Sequence, residues 1–355
     1  MIYRLILCFL ISFAILTTHG EASALEKITV TNAAARQAVC NDGSPAVYYY
    51  RKGSGQGTNT WVIFLGGGGF CYSVSDCNAR KISSPELMTS LDKPSTLNIR
   101  GIISQSSVKN PDFFNANHVA IPYCSSDLWS GNREASRATG GHEFRGSRIL
   151  RAVVADLKNR KGNESLSTAK RILLSGTSAG GVGVMAHVDW LANQFPAASV
   201  RGVNDAGWTP DVLSYLPNSS KFKTTEIGID LWNGQPDKSC ARANPTLKIR
   251  CYTSAVYPYL RSPLFVQMSQ YDSVYLAGIG VRPPFDSSEA FLANLFASAV
   301  RDSLQPVGAA FSPRTHTHGV LPYNKFGGLK VNGHSLRELI GTWFFDRAGP
   351  VKVIE

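Results

Sequence analysis

The run Arg171-Ile172-Leu173-Leu174-Ser175-Gly176-Thr177-Ser178-Ala179-Gly180-Gly181 decides the fold. Its first half is short, apolar and strand-like. Its second half turns small and continues with helical character through Val184, Met185, His187 and Trp190. Strand, sharp turn and helix therefore meet at Ser178. Glycines two residues to either side relieve a strained apex and let the helix pack close to the strand, where a Cβ would intrude. Short Gly-x-Ser-x-Gly matches also arise by chance in Gly/Ser-rich loops; a strand before and a helix after set this one apart. The expectation is a nucleophilic serine exposed at the end of a sheet, beside a helix N-terminus.

The chain has 355 residues, 43% of them hydrophobic. That is ample for one large core, and length does not force a second domain. Residues 1–24 stand apart: Arg4 precedes the apolar run Leu5 to Leu16, and Ala22-Ser23-Ala24 offers small residues at a cleavage site. We read an export signal over 1–24 and a single catalytic domain over 25–355, secreted or periplasmic. The apolar run is too short to span a membrane, and no later stretch is long enough. Losing the signal removes Cys8 and leaves six cysteines, an even set that favours disulfides in an exported chain. Cys71/Cys77 and Cys240/Cys251 can close small loops, leaving Cys40 with Cys124 by elimination, although sequence alone does not fix that connectivity. No Cys-x-x-Cys pair supports zinc. The net charge of +11 is scattered, with no Lys/Arg block, which argues against nucleic acid as a partner. An anionic polysaccharide or envelope fits better, and solubility alone also accounts for the charge.

Along the chain, Ile28-Thr29-Val30 and Ala46 to Tyr50 read as a hairpin around the Asp42-Gly43-Ser44-Pro45 turn. Trp61 to Leu65 is a buried strand, followed at once by Gly66-Gly67-Gly68-Gly69-Phe70-Cys71. A phosphate loop would need Gly-Lys-Ser/Thr there, which is absent. Four glycines instead free backbone N–H groups to converge on a small site. In an α/β-hydrolase this position supplies oxyanion-hole donors, joined by the N–H of the residue after the nucleophile, here Ala179. Residues 80–117 read as irregular loops. His118 to Cys124 is a strand, and Ile149, Leu150, Val153, Val154 and Leu157 recur at helical spacing ahead of the serine strand, giving a βαβ alternation. Val200 to Trp208 reads as strand then loop, and residues 209–255 as a cap over the site. Pro263 to Met268 and Gly308 to Ser312 are further strands, and Ser335 to Phe345 is a closing helix. The fold class is thus α/β: an α/β-hydrolase-like three-layer sandwich on a largely parallel sheet, with loop and cap insertions.

A serine hydroxyl needs a histidine to accept its proton and a carboxylate to orient that histidine. In this fold the chain order is Ser, acid, His. His19 is lost with the signal, His118 and His142 precede the serine and His187 lies in the elbow helix, so His316, His318 and His334 remain. His334 starts the last helix, whereas His316 and His318 lie in the loop after the last strand, where the catalytic histidine belongs. Asp272 leads as the acid because it directly follows a buried strand. Asp205, one strand earlier, is the runner-up, or else a turn carboxylate satisfying loop N–H groups.

With these residues in hand, the sequence resembles the pectin acetylesterase/Notum family of secreted serine hydrolases, from about Cys40 to Arg347. The resemblance rests on Cys40-Asn41-Asp42-Gly43-Ser44-Pro45-Ala46, Gly67-Gly68-Gly69-Phe70-Cys71, Tyr123-Cys124-Ser125-Ser126-Asp127-Leu128-Trp129-Ser130-Gly131 and Gly176-Thr177-Ser178-Ala179-Gly180-Gly181. Pro263-Leu264-Phe265, Tyr271-Asp272-Ser273 and Trp343-Phe344-Phe345-Asp346-Arg347 complete it. It implies Ser178 as nucleophile, Asp272 as acid, and a base between Ser312 and His318, with family spacing favouring His316 over His318. It also implies oxyanion donors at Gly69, Phe70 and Ala179. Two positions depart: the family usually has glutamate at Gly66 and tryptophan at Phe70, which bears on the acyl pocket more than on mechanism. The expected activity is carboxylic ester hydrolysis through an acyl-enzyme, with no metal or organic cofactor. An acylated carbohydrate of the acetylated, pectin-like kind is the leading substrate. The alternatives are a Notum-like deacylase removing a longer acyl chain from lipid or protein, and a non-catalytic binding protein on the same fold.

Overall fold

A computed structural model describes residues 24–211 and 220–355 of the chain. Its strands are β1 (Leu25–Thr29), β2 (Val47–Arg51), β3 (Thr60–Leu65), β4 (Thr96–Leu97), β5 (Asn117–Ile121), β6 (Arg171–Thr177), β7 (Ser199–Asp205), β8 (Leu264–Gln267) and β9 (Ala309–Ser312). A short hairpin, β10 (Lys330–Val331) with β11 (His334–Ser335), and β12 (Lys352–Ile354) follow. Among the described residues one ten-stranded sheet forms in the order β12-β9-β8-β7-β6-β3-β5-β2-β1-β4. From β12 to β5 every neighbouring pair is parallel; β5-β2, β2-β1 and β1-β4 are antiparallel. The parallel strands are covered on both faces, which is why they read as unbroken apolar runs.

Alternation along β3 divides the core. Trp61, Ile63 and Leu65 face one side with the helices Gly146–Lys158 and Ala179–Gln194; Val62 and Phe64 face the other with the closing helix Leu336–Phe344. Each such side chain contributes about 1.5–3 kcal/mol by leaving water. Helix, sheet and helix make three layers, an α/β-hydrolase-like architecture.

Three local readings change. The Asp42–Pro45 turn closes a short Val39–Pro45 bridge, and the β1–β2 pairing is made across that longer excursion. The 80–117 region opens inside the helix Val74–Ser83, which buries only Cys77 and so shows no apolar periodicity. The 209–255 insertion contains the helices Ser220–Trp232 and Lys238–Ala243. All three expected disulfides are present: Cys40–Cys124, Cys71–Cys77 and Cys240–Cys251. The first closes 84 residues, and in the chain-entropy view a loop of that length stabilises by about 4–5 kcal/mol. Residues 1–23 of the expected export signal and 212–219 of the insertion lie outside the described residues. Among the described residues no helix is long and apolar enough to cross a membrane.

Candidate active site

Ser178 sits between the last residue of β6 and the helix Ala179–Gln194, with φ +59° and ψ −120°. A non-glycine residue in that region costs on the order of 1–3 kcal/mol and is held by its surroundings. Here the Ser178 N–H donates to the Asp205 carbonyl at 2.7 Å. The flanking glycines are sterically required: a Cβ at Gly176 would lie 2.4 Å from the Gly180 carbonyl oxygen, and one at Gly180 would lie 2.1 Å from that of Leu65.

Asp272 follows β8 and caps the helix Ser273–Gly278, its Oδ1 accepting the N–H groups of Val274 and Tyr275 at 3.0 and 3.2 Å. Both carboxylate oxygens also accept from His318 Nδ1, at 2.9 and 2.8 Å. The carboxylate is wholly buried, whereas 20% of the imidazole is exposed. A neutral imidazole that donates Nδ1–H to Asp272 keeps its lone pair on Nε2.

The histidine favoured by spacing is not the one that meets the acid. The stretch after β8 runs beside the stretch after β9: Gln270, Tyr271 and Ser273 donate backbone N–H bonds to the carbonyls of Pro313, Thr315 and His316. That pairing spends the His316 backbone and turns its ring outward, exposed between Tyr271 and Phe285. Two residues on, it is His318, the alternative, and not the favoured His316, that the structure brings to Asp272.

Asp205, read from the sequence as runner-up acid or as a turn carboxylate satisfying loop N–H groups, does the latter. It accepts Thr177 Oγ1 at 2.6 Å and the N–H groups of Val320 and Leu321 at 3.0 and 2.9 Å. One buried side chain thus ties the serine strand to the loop carrying His318. Burial raises its carboxyl to about 6, against the pull of those hydrogen bonds. Asp205 is the last residue of β7, and that strand-end position is the signal the sequence carries.

The glycine loop lies against the serine: a Cβ at Gly67 would sit 2.5 Å from the Thr177 carbonyl oxygen and 3.0 Å from Ser178 Cβ. Indole N–H groups hold its ends, Trp129 to the Gly66 carbonyl at 2.9 Å and Trp232 to that of Cys71 at 2.7 Å. The Tyr123–Gly131 motif backs it. Phe70 pairs with Asp127, and Cys71 N–H donates to the Ser126 carbonyl. Asp127 itself is buried, its carboxyl raised to about 7 by desolvation, and accepts from Ser125, Trp129 and Gly146.

Two cavities open at Ser178 and His318, and Gly69 lines both. One, of about 250 Å³, is apolar and includes Phe70, Leu128, Ala179, Phe222, Ile249 and Phe296 in its wall. Its roof comes from the 209–255 insertion, stapled by Cys240–Cys251. The other, of about 790 Å³, is an open cleft toward Asn98, Arg100 and Tyr323. Among the described residues no cluster of His, Cys, Asp or Glu could hold a metal ion.

A serine at a strained elbow, an Asp-oriented imidazole and a glycine loop form an arrangement suited to acyl transfer. A family model described as pectinacetylesterase matches residues 19–301. The palmitoleoyl-protein carboxylesterase NOTUM of Homo sapiens is 35% identical over 322 residues, covering 86% of this chain and 63% of that protein. The Drosophila melanogaster NOTUM is 35% identical over 342 residues, 92% of this chain and 50% of that protein. Notum1' of Xenopus laevis is 34% identical over 331 residues, 87% and 65% respectively. The chain spans about half to two thirds of the length of these curated relatives.

Proposed function

The chain belongs to the pectinacetylesterase family, and from that premise we propose that its 25–355 region is an exported serine carboxylic ester hydrolase working through an acyl-enzyme. Ser178 Oγ attacks the ester carbonyl while His318 Nε2 takes its proton. The imidazolium is held by Asp272 and then returns the proton to the departing alcohol. The N–H groups of Gly69, Phe70 and Ala179 hold the developing oxyanion, and water releases the acyl group by the same steps in reverse order. The observation that carries this reading is the His318–Asp272 pair at 2.8 Å, facing the cavity that Ser178 also lines. Three disulfides support export, since such bonds persist in oxidising compartments.

The cavities refine the substrate. A volume of about 250 Å³ equals that of about eight water molecules at ~30 Å³ each. An acetyl group would fill a small part of it and a palmitoleoyl chain exceeds it, which supports a medium-length acyl chain. The open cleft supports a bulky, hydrophilic alcohol such as a sugar or a protein hydroxyl. The test is kcat/KM on p-nitrophenyl acetate, octanoate and palmitate, with the serine mapped by a fluorophosphonate. Octanoate should lead. A maximum at acetate would return the acyl assignment to a deacetylase, and labelling elsewhere than Ser178 would end the reading.

A further inference from the structure

The glycine loop has an anchor outside the triad. Arg80, in the last turn of the helix Val74–Ser83, donates from Nη2 to the Gly68 carbonyl and from Nε to Ser126 Oγ at 2.8 Å. Its helix is tethered to the loop by Cys71–Cys77. Gly68 and Gly69 have φ of +150° and +69°, conformations that only glycine adopts at little cost. Freedom of that kind lets the peptide between them turn over easily.

A trans peptide points its C=O and N–H in opposite directions. Fixing the Gly68 carbonyl on Arg80 therefore fixes the Gly69 N–H away from Arg80, on the side where Gly69 and Ser178 share a cavity wall. Turned over, the same peptide would present a carbonyl oxygen to the oxyanion and repel it. We propose that Arg80 is a positioning residue that holds the Gly68–Gly69 peptide in its oxyanion-stabilising orientation. The proposal rests on the esterase reading. Both recorded partners of the guanidinium are neutral, and a Cβ built on Gly69 would lie 3.8 Å from Nη1, so its charge also stands close behind the donor.

The test is Arg80→Met and Arg80→Lys in the full chain, assayed on p-nitrophenyl octanoate. Arg80→Met should lower kcat on the order of 100-fold, the range for a lost oxyanion donor, with KM nearly unchanged because the acyl cavity is untouched. Arg80→Lys, with one donor within reach of the carbonyl, should fall between. Guanidinium added below denaturing concentration should restore part of the Arg80→Met rate. A kcat within about threefold of wild type would overturn the proposal. So would a loss that raises KM in step, lowers Tm and resists rescue, since that is a folding defect. Failure of the esterase reading looks different: Ser178→Ala would stay active whatever the Arg80 variants do.

Discussion

The two cavities that meet at Ser178 differ in nearly every physical respect. One is the more enclosed and more apolar pouch, roofed by an inserted, disulfide-stapled segment; the other is a more open cleft with Asn98, Arg100 and Tyr323 along it. Enclosed apolar space gains from excluding water around a hydrocarbon chain, while an open cleft leaves a hydroxylated carrier in contact with water. The difference teaches that specificity on the two sides of the ester bond is separable. On the proposed esterase reading, the acyl half would be read by volume and the alcohol half by contacts at an exposed rim.

That separation can be broken at its shared point first. Ser178→Ala should abolish turnover of every ester whatever its acyl chain or alcohol, by about 10⁶-fold in kcat as for other triad serines. Asp272→Asn should cost about 10⁴-fold in kcat, again independent of substrate, because the imidazole loses its tautomer and orientation. Ile279→Trp, at the apolar wall, should act on one side only. Losing room for two or three methylenes at about 0.8 kcal/mol each lowers kcat/KM for octanoate about 30-fold, while acetate is spared. If acetate falls equally, the pouch is not the acyl site. Arg100→Gln should change KM for sugar esters by about threefold, the scale of an exposed contact, and leave the acyl-chain profile of p-nitrophenyl esters unaltered.

A separate, pH-dependent effect concerns the carboxylate that ties the serine strand to the His318 loop. Asp205 titrates at about 6 in the folded protein against an ordinary 3.8. The folded state therefore binds this proton more tightly than the unfolded chain, so the stabilising contribution is full below pH ~4 and is lost as pH rises through about 6. The Tm of wild type relative to Asp205→Asn should fall across that window, by the equivalent of about 1–3 kcal/mol. A flat difference between pH 4 and 7 would show the carboxyl titrating at its ordinary value.

Elements whose local chemistry and packing agree were legible from sequence. The elbow is one: Gly176, Ser178 and Gly180 mark a turn that tolerates no other arrangement, and the strand and helix bounding it are long and apolar. The even cysteine count and two short spacings point to the three disulfides, although they leave the connectivity open. Legibility ended where a choice depended on distant pairing. His316 and His318 carry the same side chain two residues apart; what separates them is the backbone zip to Gln270–Ser273, which no local pattern encodes. The helix Val74–Ser83 escaped because one buried side chain leaves no period to read. Asp205 stands out at the end of a strand, but its partners at 320 and 321 lie more than a hundred residues away.

Because the Asp205 carboxylate grips Thr177 and the 320–321 amides together, the neighbours of the serine and of the imidazole share one mechanical support. A shared tether of this kind limits how far the two stretches can move apart. The entropy of bringing the two within reach is lost once, when the chain folds, and not again at each turnover.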